Sequence, residues 1–484
     1  MGNSTNQPLT LSQPLSRADN YAGSLKSSVQ NFLKPESRFA HAEARGVVLA
    51  HIIGACFFAS IIFGPSYLGT VLEVNPFDWP IRIVGLWLLV DRVGKQRHIK
   101  LVGWDWAHLL FVAGYGCALI YAELFMIRDT GLMNYIGWMN VTLNGYVYFV
   151  LVREGLSRRG FRPEVLVRWV LATLCVASVL GLLQARDLFG MRHVIDGFYH
   201  QAELELHMEG PSEPWQARAP TAHANSLAML LLCGFPLLLA LADLRKFRWF
   251  DWGIGLLILV TSVMTYSRIG ILAMVAIGLA LIVAWSYRKE YFKAAATAFT
   301  LVTLTVAFAA IVLASDITRF KVLVERQNQV TGNSKETSGW KAREVSLVSS
   351  VRRAEEYPFT GLKPASSANN QESLIVKNSF TYQGLLLNVY VYSFVSYGLI
   401  GVAYMLALFW LLISQIRFSR TRQAFATTAF VLGVMIMVFG IAENVLYFDG
   451  AMVTVNIVMA FCVMRTPKPA EAEKATPAPL NAAA

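Results

Sequence analysis

The chain has few charged residues and few cysteines for its length. Of its 484 residues, 15% are charged and 55% are hydrophobic, whereas soluble domains carry roughly 25% charged residues. The five cysteines all lie in apolar runs, and none forms a C-x-x-C pair. A disulfide framework or a zinc site is therefore not expected. The composition excludes an ordinary soluble domain and favours a membrane protein.

The apolar residues fall in blocks of about 17 to 25, long enough to cross a bilayer as helices. They predict an all-α polytopic membrane protein with about 12 transmembrane helices. Helices 1–9 are expected in residues 46–314 and helices 10–12 in residues 379–464. Between them lies one large polar loop, residues 315–378. The ends, 1–45 and 465–484, are polar or of low complexity and are predicted to be disordered tails, without a cleavable signal peptide.

Finer features of the spans also follow from the pattern. The sixth span is expected to begin at Thr221, and the seventh and eighth are separated by almost nothing around Ser267. The run 379–414 is too long for one span, which predicts a helix broken near Tyr397 and Gly398.

Lysine and arginine are concentrated in alternate loops, as in "RVGKQRHIK" and "RKFR". By the positive-inside rule these loops and both termini are cytoplasmic, and the large loop lies outside, in a bacterium the periplasm. The formal net charge of +11 is therefore assigned to membrane anchoring, and nucleic acid is not expected as a partner.

Two polar features have competing interpretations. The stretch 187–213 gathers acidic residues and histidines; a metal site is conceivable, but the spacing matches no motif, and a solvated acidic face is favoured. Arg268, in the turn between two spans, is either a functional cation or a side chain that reaches the lipid headgroups.

Four short motifs follow one another in the second half of the chain. They are RAPTAHAN from Arg218, TYSRIG from Thr265, PFTG from Pro358 and GLIG from Gly398. Their order and spacing over about residues 215–405 resemble the O-antigen ligase and O-antigen polymerase superfamily. In that family the first motif opens a helix at the periplasmic face, and the third ends the long periplasmic loop.

The resemblance implies a GT-C-like, inverting glycosyltransferase of the bacterial inner membrane that uses neither metal nor cofactor. Such enzymes take a glycan from undecaprenyl diphosphate and transfer it to lipid A-core (ligases) or to another lipid-linked repeat unit (polymerases). The arginines matching Arg218 and Arg268 are implied to bind the diphosphate. This agrees with the chemistry, because planar guanidinium groups match phosphate oxygens and stabilise a leaving anion. Asn225 is expected to orient Arg218 or a sugar hydroxyl.

One feature of the ligases is missing. They carry a histidine late in the long loop as the proposed base, whereas this chain has no histidine between Asp316 and Arg465. The candidates to accept the proton are His223, Glu443, Glu325 and Glu344. A simple interfacial histidine fits His223 equally well, and a plain helix-terminal carboxylate fits Glu443. The missing histidine favours a polymerase, as in exopolysaccharide or O-antigen biosynthesis, over a ligase.

The large loop is expected to close over donor and acceptor. Arg343 is the loop cation expected to contact the diphosphate, and Trp340 is expected to stack on a sugar ring. Expected partners are the undecaprenyl-diphosphate-linked glycan, membrane lipid, and other proteins of polysaccharide export or chain-length control. A transporter of lipid-linked sugars and an inactive scaffold remain as rivals. The chain shows no internal repeat, which argues against the transporter.

Overall fold

The structure is a computed structural model in which every regular element of the described residues is a helix. The described residues are 35–64, 78–94, 101–125, 145–158, 160–199, 216–221, 224–314, 351–352, 355, 358–359, 361, 389–419, 425–441 and 449–463.

The helices of the first half precede the first motif. They are α1 (Pro35–Phe63), α2 (Asp78–Gly94), α3 (Gly103–Phe125), α4 (145–156), α5 (Pro163–Arg186) and the short α6 (Met191–Phe198). The second half contains α7 (Ala224–Leu232), α8 (Gly234–Asp243), α9 (Trp249–Met264), α10 (Arg268–Tyr287), α11 (Tyr291–Ala314), α12 (Val389–Ile413), α13 (Ile416–Ser419), α14 (Ala426–Phe439) and α15 (Asp449–Val463).

Five helical segments in the described part are long and apolar enough to cross a membrane. They are Ala44–Phe63, Pro163–Arg186, Ala224–Asp243, Ile269–Tyr287 and Tyr397–Ser419, with shorter apolar helices at Trp249–Met264, Ala426–Phe439 and Gly450–Val463. Large apolar side chains also lie exposed on the helix surfaces, such as Leu110 at 64% and Leu124 at 70%. Such surfaces are unfavourable in water and suit lipid, so the chain is a multi-pass membrane protein.

Helix α5 links the two halves, packing against α1 of the first half and against α7, α8 and α9 of the second. It begins at Pro163. Proline lacks a backbone N–H, which costs nothing in the first helical turn, because N–H groups there have no acceptor within the helix. Its buried face includes small residues such as Ala177, Ser178 and Gly181, which let neighbouring helices approach closely. In the second half α10 packs on α14, and α12 packs on α3.

The ends of α10 define two faces. We call the outer end the one that carries residues 216–221 and the α9–α10 turn, 265–267. The inner end is the opposite one, where α10 stops at Tyr287. A helix of this length spans about 30 Å, roughly the thickness of the bilayer core.

The predicted break at Gly398 is confirmed. Gly398 has φ 62° and ψ −152° inside α12, a conformation that only glycine adopts easily. A Cβ there would lie 2.4 Å from the carbonyl oxygen of Pro358, and that oxygen accepts a 2.7 Å hydrogen bond from the N–H of Leu399. The third and fourth motifs are therefore in direct contact, and a side chain at Gly398 would prevent it.

The predicted start of the sixth span at Thr221 is wrong. Thr221 lies in a bend, and the described helix begins at Ala224. The Thr221 hydroxyl donates instead to the carbonyl of Arg218, at 2.7 Å, and so closes a turn. The span is also divided at Cys233 into α7 and α8. Pro236 explains the division, because it has no N–H to offer the carbonyl four residues earlier.

A partly buried ion pair joins helices at the inner end. Asp105, in the first turn of α3, is fully buried and contacts Nη1 of Arg153 at 2.5 Å. It also accepts hydrogen bonds from the hydroxyl of Tyr146, at 2.6 Å, and the N–H of Val102, at 2.8 Å. All these partners together satisfy a carboxylate that burial alone would destabilise.

Candidate functional site

A buried glutamine on α5 holds the segment that carries Arg218. The side-chain oxygen of Gln184 accepts hydrogen bonds from the backbone N–H groups of Arg218, at 3.0 Å, and Ala219, at 2.9 Å. Gln184 is 1% exposed. Without it, two backbone donors would be left without a partner away from water, so the bonds fix the path of the segment.

The side chain of Arg218 is buried and faces a carboxylate. It is 4% exposed, and its Nη2 lies 3.4 Å from Oδ1 of Asp196. The same oxygen accepts a 2.5 Å hydrogen bond from Nε2 of Gln184, and Oδ2 lies 3.4 Å from Nε of Arg192. We call these four residues the outer arginine cluster. Its two guanidinium groups and one carboxylate leave a net positive charge.

Burial lowers the pKa of Arg218, while the negative charge of Asp196 and its hydrogen bond raise it. The ordinary pKa of arginine is so far above neutrality that the group keeps its charge. A buried cation whose carboxylate partner, Asp196, also contacts Arg192 is suited to bind an anion with several oxygens.

The short helix α6 brings Asp196 to this place. Ile195 and Tyr199 pack with Ala219 in a small apolar cluster, and the hydroxyl of Tyr199 donates to the carbonyl of Ile62 at the end of α1, at 2.9 Å. Burial raises the pKa of Tyr199 to about 12. These contacts fasten α6 to α1 and to the Arg218 segment, which sets the position of Asp196.

The Arg218 segment is also joined to the turn that precedes Arg268. The N–H of Ala217 donates to the carbonyl of Met264 at 3.0 Å. Nη2 of Arg186, at the end of α5, lies 3.7 Å from the sulfur of Met264. Since Arg268 follows four residues after Met264, the backbones that bear the two predicted arginines meet at the outer end.

Three of the six positions of the TYSRIG turn have a local structural role. The Ser267 hydroxyl caps α10 by accepting from the N–H of Gly270, at 2.9 Å, and the Thr265 hydroxyl accepts from the N–H of Ser267, at 3.3 Å. A Cβ at Gly270 would lie 3.0 Å from that of Ala228 on α7. Arg268 is the first residue of α10, and its side chain lies outside the described part.

The structure describes only some of the predicted site residues. Arg218 and Asn225 are described, and Asn225 lies in the first turn of α7. His223, Glu443, Arg343 and Trp340 lie outside the described residues, as do Glu325 and Glu344. The roles assigned to all of these residues stay predictions.

Sequence reasoning missed Gln184 and misread Asp196. Asp196 was grouped with a solvated acidic face, but it is only 21% exposed and binds two arginines. The ion pair between Arg192 and Asp196 could have been predicted, because residues four apart on a helix lie on the same face. Gln184 gave a weaker signal, as an uncharged polar residue near the end of an apolar run.

Helices of membrane length, a lipid-facing apolar surface and a buried cationic cluster at one end define a polytopic membrane protein with a polar site at one face. Residues 253–406 match the protein-family model described as O-antigen ligase. This match, over about a third of the chain, supports the superfamily resemblance and indicates a membrane enzyme of the kind that processes glycans. It includes the TYSRIG, PFTG and GLIG motifs, whereas Arg218 precedes it. A search of the curated proteins gave no match.

Proposed function

We propose that this protein polymerises oligosaccharide repeat units carried on undecaprenyl diphosphate, at the periplasmic face of the bacterial inner membrane. The observation that carries the proposal is the hydrogen bond from Ala217 to Met264, which holds the Arg218 segment beside the helix start of Arg268. Two arginines on neighbouring backbone segments suit the two phosphates of the donor.

The reaction balances as follows. An acceptor sugar hydroxyl attacks the anomeric carbon of the donor glycan, and a new C–O bond forms. The bond from that carbon to the diphosphate oxygen breaks, and the diphosphate leaves with the electron pair. The hydroxyl proton passes to a base, for which His223 and Glu443 are the candidates. Arg218 and Arg268 stabilise the charge that grows on the leaving oxygen.

The outer arginine cluster supports this assignment for Arg218. A diphosphate offers more oxygens than the single carboxylate of Asp196, so it is able to replace or join Asp196 as the partner of the guanidinium. Gln184 keeps the backbone of Arg218 in place during that exchange, because its hydrogen bonds do not involve the side chain. Asn225, Arg343 and Trp340 are proposed to contact the sugar and phosphate groups.

The rest of the proposal concerns topology. Twelve spans with a GT-C-like arrangement, both termini in the cytoplasm and the loop 315–378 in the periplasm fit the basic loops and the apolar runs. The enzyme works without metal or cofactor, and proteins of export or chain-length control are proposed as partners.

The ligase reaction is the second candidate, because the matched family is described by that name. It differs only in the acceptor, which is then lipid A-core. The missing histidine in the loop before α12 favours the polymerase. A lipid-linked-sugar transporter is the third candidate.

Replacing Arg218 or Arg268 by alanine tests the proposal. Glycan chains are measured in cells with matched protein levels, and Arg417→Ala at the inner end is the control. We expect both outer variants to lose polymer and the control to keep it. Full activity in both variants would remove the proposed role. Purified protein with lipid-linked glycan in detergent separates enzyme from transporter, since only an enzyme forms a new glycosidic bond there.

A further inference from the structure

A cavity of about 810 Å³ opens at the inner end, far from the outer arginine cluster. It lies between the end of α8 and the turn from α10 to α11. Four cationic side chains and two acidic ones line it: Arg245, Arg288, Lys289, Lys293, Asp243 and Glu290. Its size is within the range of ligand sites, about 300–1,000 Å³.

The acidic residues of the cavity are already engaged with two of the cations. Arg288, whose side chain is 6% exposed, lies 3.3 Å from both Asp243 and Glu290. Lys293 lies 2.7 Å from the other oxygen of Glu290. These ion pairs hold one side of the cavity in place. Within the described residues they leave Arg245 and Lys289 exposed and without an ion pair.

Arg245 and Lys289 occupy positions where glycine is the usual residue. Each follows the end of a helix with positive φ, 56° for Arg245 and 62° for Lys289. Such left-handed residues close helix ends and are most often glycine, since a Cβ makes this conformation unfavourable. A cation near a helix C-terminus is favoured by the helix dipole. The dipole does not explain why both cations border one cavity.

The rim of the cavity is aromatic. Tyr291 and Phe292, at the start of α11, line it and are 66% and 87% exposed. Aromatic side chains at this level of a membrane protein lie among lipid headgroups. The cavity therefore combines unpaired cations with an apolar edge, and it opens where headgroups are found.

We propose that this cavity binds the phosphate headgroup of an anionic phospholipid from the leaflet at the inner end. Arg245 and Lys289 contact the phosphate, and the acyl chains lie along Phe292. Basic pockets between membrane helices on the cytoplasmic side are known to suit such headgroups. The proposal is independent of the glycan chemistry at the outer end.

Native mass spectrometry of the full chain in detergent tests the proposal, with phosphatidylglycerol as probe and phosphatidylcholine as the zwitterionic comparison. We expect the double variant Arg245→Gln with Lys289→Gln to bind phosphatidylglycerol about 30-fold more weakly, from about 1 kcal/mol for each cation. The double variant Arg45→Gln with Arg417→Gln removes the same charge at the inner end outside the cavity, and it should bind like the wild type. Unchanged binding by the cavity variant would overturn the proposal.

A second variant separates binding from folding. Arg245→Gly with Lys289→Gly removes both charges and relieves the left-handed strain, so we expect a higher Tm together with the same weakening of phosphatidylglycerol binding, about 30-fold. Retained binding in this variant would also overturn the proposal. Inorganic phosphate at the same concentration as phosphatidylglycerol is expected not to displace the lipid, because it has no acyl chains to contact Phe292. Full displacement by phosphate would contradict a lipid site.

Discussion

Replacing Gln184 by alanine should reduce glycan polymerisation, although the Gln184 side chain is not proposed to contact the substrate. The change removes the acceptor of two buried N–H groups, on Arg218 and Ala219, and the donor to Asp196. Each buried donor left without a partner costs about 1–3 kcal/mol, so the two together cost about 2–6 kcal/mol. The segment is then expected to shift, and Arg218 with it.

We expect glycan polymerisation to fall at least about 100-fold in this variant, since a barrier rise of about 3 kcal/mol has that effect. The assay follows glycan chain formation by purified protein in detergent, with Tm measured in parallel. The control is Thr173→Val on the same helix. The hydroxyl of Thr173 is buried but donates only to the carbonyl of Trp169 within α5, so its loss should leave activity unchanged.

A donor–acceptor exchange makes the test sharper. Gln184→Glu keeps an acceptor for the two N–H groups but places a carboxylate against Asp196, so activity should fall. Adding Asp196→Asn reverses the donor and acceptor of that contact and should restore part of the activity. Wild-type activity in Gln184→Ala, or no recovery in the double variant, would refute the positioning role of Gln184.

Three further predictions concern stability and the motif turns. Asp105→Ala leaves Arg153, whose side chain is 11% exposed, without its carboxylate, so unfolding should become easier by about 1.5–3 kcal/mol, measured as a fall in Tm; an unchanged Tm would contradict this. Gly398→Ala should abolish activity, because a Cβ meets the carbonyl of Pro358, whereas Gly253→Ala has nothing within 4 Å and should be silent. Ser267→Ala should lower stability by about 1 kcal/mol through the lost helix cap. Ser267→Asp keeps the cap and should preserve Tm but reduce glycan transfer, since it adds a negative charge beside the proposed diphosphate; equal activity in Ser267→Asp and wild type would contradict that reasoning.

The parts of the fold that were predictable are those encoded over short stretches. Apolar runs predicted the helices, and the near absence of residues between the seventh and eighth runs predicted a sharp connection between α9 and α10. The break in α12 near Gly398 was predictable because the run 379–414 is too long for one span. The start of α7 was misplaced, since the bend at Thr221 depends on its bond to the carbonyl of Arg218.

The candidate site was predictable only in part. The motif pointed to Arg218 and Arg268, and the structure brings their backbones to the same end through Ala217 and Met264. Gln184 and Asp196 were not predicted as partners, because nothing in their local sequence indicates which distant residue they face.

The amino-acid sequence by itself determined that this protein is a bundle of membrane helices and showed its resemblance to the O-antigen ligase superfamily, since hydrophobic length and short motifs are local properties of the chain. Only the tertiary structure decided that Gln184 holds the backbone of Arg218, that Asp196 is shared between two arginines, and that Pro358 binds at the break in α12. These contacts join residues far apart in the chain, and they exist because close helix packing excludes water and requires each buried polar group to find a partner.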